Sequence, residues 1–166
     1  QEELRQIAAI HGMAVCGPNC LGLIGLHTHT TLYSSRFPHG VRKGKFALIS
    51  QSGASAIALS STGRLGFSYL ISAGNGTVTT TADYLHFLAT DPTTQVIGLV
   101  LETIKEPAAF VAAMTAVQVA NKRVIALYVG RSQVGAATTA AHTGALTSSF
   151  QAEVTFLRRQ GVIVVE

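Results

Sequence analysis

The sequence has few cysteines and no long apolar run. Cys16 and Cys20 are the only cysteines among 166 residues, which excludes a disulfide-rich scaffold and predicts two reduced, packed thiols. Together with His27 and His29 they make four candidate metal ligands, but their spacing matches no usual zinc pattern, so we predict no metal site. No stretch of about 20 consecutive apolar residues is present, which excludes a membrane span.

Charged side chains are also scarce. They make up 12% of the chain, against roughly 25% in typical soluble domains, and the mean hydropathy is +0.37. Without a membrane span to explain these values, we expect apolar surface that other domains or subunits cover, in a homo- or hetero-oligomer. The chain starts at Gln1, next to a predicted helix over 2–10, so we expect a segment of a larger cytoplasmic enzyme.

The excess of basic residues does not indicate a nucleic-acid-binding protein. The formal net charge is +4, but the basic residues are scattered, and the densest group is Arg42-Lys43 with Lys45. No basic stripe interleaved with aromatic residues is present. A modest basic excess equally suits acidic ligands such as coenzyme A, nucleotides and carboxylates.

Apolar segments alternate with helical patterns beyond the first 40 or so residues. This alternation is typical of a parallel sheet with helices on both faces and right-handed crossovers. The predicted strands lie at 46–50, 67–71, 96–101, 123–128 and 162–165. The predicted helices between them lie at 54–65, 80–90, 107–120 and 149–160.

A turn of small polar residues follows the first of these strands, Ser50-Gln51-Ser52-Gly53-Ala54-Ser55. A strand, a polar turn and a helix start direct free N–H groups and the positive end of the helix dipole at one point. Gly53 permits close approach of a phosphate, and the serines offer hydroxyls. The turn therefore predicts an anion site, although an ordinary N-capped helix would carry similar residues.

A second unusual segment, from 132 to 152, contains no Asp, Glu, Lys or Arg. It shows neither a helical nor a strand period, and long irregular segments are often functional. Within it, Ala141-His142-Thr143-Gly144-Ala145-Leu146 places one histidine among small residues. Such a histidine can accept a group and carry it to another site; an exposed loop histidine without a function is the alternative.

Several short motifs together resemble one family, the NDP-forming acyl-CoA synthetases, relatives of the succinyl-CoA synthetase alpha subunit. The resemblance covers nearly the whole chain, with the motifs in the family's order. They are Gly17-Pro18-Asn19-Cys20-Leu21-Gly22, Ile49-Ser50-Gln51-Ser52-Gly53, Gly74-Asn75, Leu101-Glu102, Gly130-Arg131-Ser132 and Ala141-His142-Thr143-Gly144-Ala145-Leu146.

The resemblance implies an α/β fold, a flavodoxin-like three-layer sandwich with a parallel five-stranded sheet of order 2-1-3-4-5, over residues 45–166. Residues 1–44 would be an arm that ends an upstream CoA-binding domain. The implied ligase interconverts acyl-CoA, NDP and phosphate with acid, coenzyme A and NTP through a phosphohistidine. Coenzyme A and ATP or ADP would be substrates, and an ATP-grasp domain or subunit would bind the nucleotide and Mg²⁺.

The resemblance also assigns site residues. His142 would accept the phosphoryl group, and Glu102 would hold one ring nitrogen so that the other is the nucleophile. Asn19, Cys20 and Asn75 would lie near the acyl group and coenzyme A. Phosphate would be bound by the polar turn and the histidine loop, at Ser50, Gln51, Ser52, Gly53, Ala54, Thr143 and Gly144.

The strand order explains how these motifs meet. In the order 2-1-3-4-5 the switch point lies between the first and third strands, at their carboxyl ends. The polar turn follows the first strand and Glu102 follows the third, so both should flank one crevice. The chain has no Gly-x-x-x-x-Gly-Lys-Ser/Thr loop and no cluster of acids for Mg²⁺, so we expect the segment to be catalytically incomplete by itself.

Two other functions stay open. After Gly74-Asn75 the relatives usually carry acidic residues, whereas this chain has Gly76-Thr77-Val78-Thr79. That departure is compatible with a non-catalytic acyl-CoA-sensing domain of an acyltransferase-type protein. A serine hydrolase with Ser52, His142 and Asp83 is the remote alternative, because the Gly-x-Ser-x-Gly elbow is missing.

Overall fold

A computed structural model describes residues 1–36, 38–129 and 150–165 of the chain. The helices are α1 (Glu2–Ile10), α2 (Gly53–Ser60), α3 (Thr81–Thr90), α4 (Pro107–Val119) and α5 (Phe150–Arg159). The strands are β1 (Gly22–Gly25), β2 (Thr30–Tyr33), β3 (Arg42–Ser50), β4 (Gly66–Ser72), β5 (Val96–Leu101), β6 (Arg123–Tyr128) and β7 (Ile163–Val165). No helix in the described ranges is long and apolar enough to cross a membrane.

The strands form one seven-stranded sheet of order β2-β1-β4-β3-β5-β6-β7. Neighbours from β4 to β7 are parallel, and these five strands, numbered alone in chain order, run 2-1-3-4-5. The predicted five-stranded, all-parallel sheet is nevertheless wrong as stated, because β1 and β2 add an antiparallel hairpin beside β4. Both extra strands are only four residues long.

The sheet carries its helices as an α/β three-layer fold. Buried side chains of α3 and α4 pack against one face, whose core includes Ile49, Leu99 and Leu101. The smaller core of the other face is centred on Leu48, Phe67 and neighbouring buried side chains. Full burial of an aromatic or branched aliphatic side chain contributes about 1.5–3 kcal/mol, so these two cores hold the carboxyl ends of β3 and β5 rigidly.

Local hydrogen bonds decide where two helices begin and end. Helix α3 starts at a capping box, in which Asp83 Oδ2 accepts the Thr80 backbone N–H at 2.7 Å and the Thr80 hydroxyl at 2.8 Å. Asp83 is exposed on the helix surface and closes this capping box. Helix α2 stops at Ser60, five residues before the predicted end, and the hydroxyls of Ser60 and Thr62 donate to the carbonyls of Ile57 and Leu59.

Candidate functional site

The candidate site lies at the carboxyl edge of the sheet. The turn 50–55 follows β3, residues 73–79 follow β4, and residues 102–106 follow β5. A stretch of the N-terminal segment, 15–21, is hydrogen-bonded beside them. His142, Thr143, Gly144 and Arg131 lie outside the described residues.

The start of α2 presents two free backbone donors. Ser52 is the N-cap, and its Oγ accepts the Ser55 N–H at 3.3 Å. The N–H groups of Gly53 and Ala54, in the first turn of the helix, have no hydrogen-bond acceptor among the described residues. The first turn of a helix leaves such groups unsatisfied and gives them partial positive charge. They can therefore bind an anion.

Ser50 stabilises the turn through hydrogen bonds to the backbone of Ser52. Ser50 is fully buried, and its hydroxyl donates to Ser52 O at 2.6 Å and accepts the Ser52 N–H at 3.2 Å. Ser50 was predicted to bind phosphate; in the structure its hydroxyl is hydrogen-bonded within the turn, and the Ser52 amide is not a free donor. The predicted anion site therefore narrows to the amides of Gly53 and Ala54.

Gln51 links the turn to the neighbouring strand. Its Oε1 accepts the backbone N–H groups of Glu102 at 2.6 Å and Thr103 at 3.0 Å, while its Nε2 donates to Thr103 O at 2.8 Å. Gln51 was predicted to be one of the residues that bind phosphate. The structure instead commits both ends of the amide to the backbone, so that Gln51 positions the strand ends.

Glu102 has a buried carboxylate oxygen. Its Oε2 is shielded from solvent and makes no hydrogen bond within the described part of the chain. Its backbone oxygen accepts the Tyr128 hydroxyl at 3.1 Å, which fixes the residue at the end of β5. Burying a carboxylate oxygen without a donor is unfavourable. The site is therefore suited to a donor from elsewhere.

The N-terminal segment packs tightly against the loop after β4. Asn75 N–H donates to Pro18 O at 2.9 Å, and Asn19 Nδ2 donates to Asn75 Oδ1 at 3.5 Å. Gly74 has a positive φ of 58°, and a Cβ there would overlap the backbone oxygens of Pro18 and Asn19. Asn19 and Asn75, predicted to lie near the acyl group, are thus brought together.

A cavity of about 390 Å³ lies between the predicted acyl-side residues and the predicted phosphate-binding turn. Its walls combine the end of the N-terminal segment with the turn before α2. They consist of Asn19, Cys20, Leu21, Gln51, Ser52, Gly53 and Ala54. The structure therefore places the predicted acyl-side residues Asn19 and Cys20 next to the free amides of α2.

The two thiols lie side by side, whereas the histidines do not join them. Cys16 Sγ is 3.7 Å from Cys20 Sγ, and both cysteines are free and half-buried. Burial, and secondarily the neighbouring Cys16, raise the pKa of the Cys20 thiol. His27 Nε2 lies 2.8 Å from Gly44 O, and His29 Nε2 accepts from Lys43 Nζ at 3.1 Å. No cluster of three or more metal-ligand side chains occurs in ranges 1–36, 38–129 and 150–165.

The geometry disfavours the serine hydrolase. Ser52 Oγ accepts the Ser55 N–H as a helix cap, and the Asp83 carboxylate accepts both Thr80 donors. A nucleophilic serine needs a base at its hydroxyl, and its base needs a free orienting acid. Both side chains are instead used to begin helices.

Two residues that hold the backbone of the site in place were not predicted from the sequence. Tyr128 anchors the backbone of Glu102, as described above, and Ser72 Oγ accepts the Leu21 N–H at 3.1 Å. Ser72 is fully buried at the end of β4, where a polar residue closing an apolar strand was the available signal. No comparable signal marks Tyr128, because its partner depends on the pairing of β5 with β6.

The chain was compared with known proteins. Residues 43–166 match the family described as succinyl-CoA ligase-like flavodoxin domain. The chain is 34% identical over 166 residues to the ADP-forming acetate–CoA ligase I of Archaeoglobus fulgidus, covering 98% of this chain and 24% of that protein. It is 35% identical over 167 residues to the alpha subunit of the ADP-forming acetate–CoA ligase II of Pyrococcus furiosus, covering 99% and 36%.

Solved structures give a consistent result. The dinucleotide-forming acetyl-coenzyme A synthetase 1 of Candidatus Korarchaeum cryptofilum, in complex with phosphate and ADP, is 33% identical with a TM-score of 0.88. The match covers 99% of this chain and 36% of that one. The chain thus spans about a quarter to a third of the length of these relatives.

Proposed function

This chain belongs to the succinyl-CoA ligase-like flavodoxin domain family, and from that membership we propose that it is the phosphohistidine domain of an NDP-forming acyl-CoA synthetase. The complete enzyme would interconvert acyl-CoA, NDP and phosphate with acid, coenzyme A and NTP. The observation that carries the proposal is that two helix-start amides without acceptors and the buried Glu102 Oε2 without a donor, counted among the described residues, both follow strands at the carboxyl edge of the sheet.

Gly53 and Ala54 would bind the phosphate or phosphoryl group. Their amides line the same cavity as Cys20, and the dipole of α2 favours negative charge at that point. Ser50 and Gln51 would keep the turn in shape through their hydrogen bonds to the backbone. Thr143 and Gly144 would supply further contacts from the histidine loop.

Glu102 would orient His142. A carboxylate that accepts the N–H of one imidazole nitrogen fixes the tautomer and leaves the other nitrogen as the nucleophile. The buried Oε2 of Glu102 lacks a donor among the described residues, which fits this function. His142 would then accept phosphoryl at the cavity and pass it to NDP.

Other parts of the enzyme would complete the reaction. No described group of three or more metal-ligand side chains is available for Mg²⁺, so we assign the metal and the nucleotide to an ATP-grasp domain or subunit. The alpha subunit from Pyrococcus furiosus is an example of a relative that works as one subunit. A CoA-binding domain adjoining residues 1–44 would bring the thioester to Asn19, Cys20 and Asn75.

An acyl-CoA-sensing domain is the second candidate, favoured by the loop after Asn75. Thr77 is 1% exposed, its N–H donates to Gly17 O at 2.9 Å, and its carbonyl accepts from Arg5 Nε at 2.8 Å. Thr79 is paired with Val15 through two hydrogen bonds. The loop is thus held against the N-terminal segment and places no acid at the cavity.

One comparison of activities separates the candidates. The 166-residue chain is assayed for ATP-dependent thioester formation, alone and with CoA-binding and ATP-grasp parts supplied. We expect no turnover alone and restored turnover with the parts, lost in His142→Ala. A change in conformation on coenzyme A binding, with no turnover in any combination, would favour the sensing domain. Labelling of Ser52 by a fluorophosphonate would favour the hydrolase.

A further inference from the structure

The turn between Cys16 and Cys20 brings two thiols together at the edge of the cavity. Their sulfurs lie 3.7 Å apart and need to approach by about 1.7 Å to reach the disulfide length of about 2.05 Å. Gly17 makes this approach possible, because a side chain there would place its Cβ 2.7 Å from Cys20 Sγ. Any other residue at this position would clash with the Cys20 sulfur.

The backbone around the pair is fixed independently of the thiols. Thr77 N–H donates to Gly17 O and Asn75 N–H to Pro18 O, each at 2.9 Å. On the far side of Cys20, Leu21 N–H donates to Ser72 Oγ at 3.1 Å. The chain is thus held on both sides of the turn with the sulfurs already adjacent, which lowers the entropic cost of joining them.

The two thiols differ in their surroundings. Cys20 lines the cavity beside Ser52, Gly53 and Ala54. Cys16 Sγ instead lies 3.7 Å from the backbone oxygen of Ser72. A small molecule that enters the cavity meets Cys20 first, and Cys16 lies behind it as a second thiol.

We propose that Cys16 and Cys20 form a dithiol modification site that is oxidised by low-molecular-weight disulfides to an intramolecular disulfide. The Cys20 thiolate attacks one sulfur of the small disulfide and releases one thiol. The Cys16 thiolate, its proton lost to water, then attacks Cys20 Sγ, and the second small thiol leaves. Two electrons pass from the protein to the small disulfide, and each released thiolate takes up a proton.

The rate of this exchange should depend on pH, and the disulfide should alter the cavity. Burial and the neighbouring Cys16 raise the pKa of the Cys20 thiol, so the exchange is slow near neutral pH and accelerates as the pH rises. Disulfide formation draws Cys20 Sγ toward Cys16 and changes the cavity wall. That oxidation suppresses phosphoryl transfer is a further step, which rests on the proposed function.

The first experiment measures the chemistry alone. The 166-residue chain is incubated with glutathione disulfide at several pH values and analysed by intact mass and by thiol titration. We expect both thiols to disappear together, with a mass loss of two hydrogen atoms and no glutathione adduct. In Cys16→Ser and Cys16→Ala we expect instead a stable glutathione adduct on Cys20. Two persistent free thiols, or two adducts in the native chain, would overturn the proposal.

The second experiment measures the consequence in the complete enzyme. Oxidation to the disulfide, confirmed by intact mass, should lower the rate of His142 phosphorylation at least tenfold, with recovery on reduction. Unchanged transfer by the disulfide form would overturn the regulatory step. Absence of phosphohistidine in the reduced enzyme would overturn the proposed function instead, with the disulfide still measured by mass.

Discussion

Gln51 Oε1 accepts the backbone N–H of Glu102 at 2.6 Å, across from the end of β3 to the end of β5. The same side chain also closes hydrogen bonds with both backbone groups of Thr103. The anion-binding turn and the candidate orienting carboxylate are therefore held at a fixed separation by one side-chain amide. The precision of the site depends on this link.

Replacement of Gln51 tests the link. Gln51→Ala leaves the N–H groups of Glu102 and Thr103 without their acceptor, so we expect the free energy of unfolding to fall by about 1–3 kcal/mol. Phosphoryl transfer should slow as well. Gln118→Ala is the control, because Gln118 Nε2 donates to Gln160 O at an exposed position far along the chain. Urea denaturation that shows equal losses for both variants would contradict the special role of Gln51.

Replacement of Gly53 tests the anion site. A Cβ at this position lies 3.2 Å from Leu21 Cγ, so a branched side chain must displace Leu21 or fill the cavity. We expect Gly53→Val to weaken phosphate binding at least tenfold, about 1.4 kcal/mol, in a calorimetric titration. Ala58→Val introduces the same side chain at an exposed position of α2 and should leave binding unchanged. Equal phosphate affinity in both variants would remove Gly53 from the site.

Replacement of Glu102 tests the orienting carboxylate. Glu102→Gln loses a charge-assisted hydrogen bond worth roughly 1.5–3 kcal/mol, so phosphoryl transfer should slow about ten- to a hundredfold. The fold should not lose stability, because Oε2 has no partner among the described residues. Glu106→Gln, at an exposed position just before α4, is the control. A transfer rate like that of the native chain would reduce Glu102 to a structural residue.

Asp91 provides a test of the fold itself. Burial alone would raise the pKa of its carboxyl, but hydrogen bonds from Thr94 at 2.6 Å and Thr93 at 2.8 Å lower it below the ordinary value. A carboxyl with a lowered folded-state pKa stabilises the fold fully above its unfolded value, near 3.9, and loses this contribution as the pH falls. We expect Asp91→Asn to cost about 1 kcal/mol at pH 7.

The pH profile supplies the control for that prediction. The difference between the native chain and Asp91→Asn should shrink as the pH falls below about 4, in denaturation curves measured across the acid range. Glu3→Gln removes an exposed carboxylate of α1 and should show no such difference. A difference for Asp91→Asn that is independent of pH would rule out the carboxylate as its source.

The strands of the parallel part of the sheet could be predicted from the sequence, whereas the N-terminal hairpin could not. The bounds predicted for β5 and β6 are confirmed, because both strands are mainly apolar runs with clear helical patterns on either side. The hairpin of β1 and β2 was missed because Gly22–Gly25 and Thr30–Tyr33 contain glycine and exposed polar residues. Their strand conformation depends on the pairing of β1 with β4 and of β2 with β1, which no local pattern reveals.

Some features of the candidate site could likewise be predicted from the sequence, and others could not. The placement of Gly53 and Glu102 at one edge follows from the strand order and was predictable. The backbone contacts of Gln51 and Tyr128 depend on the register of β3, β5 and β6, which the sequence does not specify residue by residue. The phosphoryl-accepting function of His142 stays a prediction, since this residue lies outside the described part of the chain.

Phosphorylation of His142 can be tested in one labelling experiment. The complete enzyme is incubated with ATP labelled in its γ-phosphate, and the label is mapped by peptide mass analysis with its stability measured in acid and alkali. We expect one acid-labile, alkali-stable phosphate on His142, absent from His142→Ala and formed more slowly in Glu102→Gln. Label on another residue, or undiminished label in His142→Ala, would contradict the account.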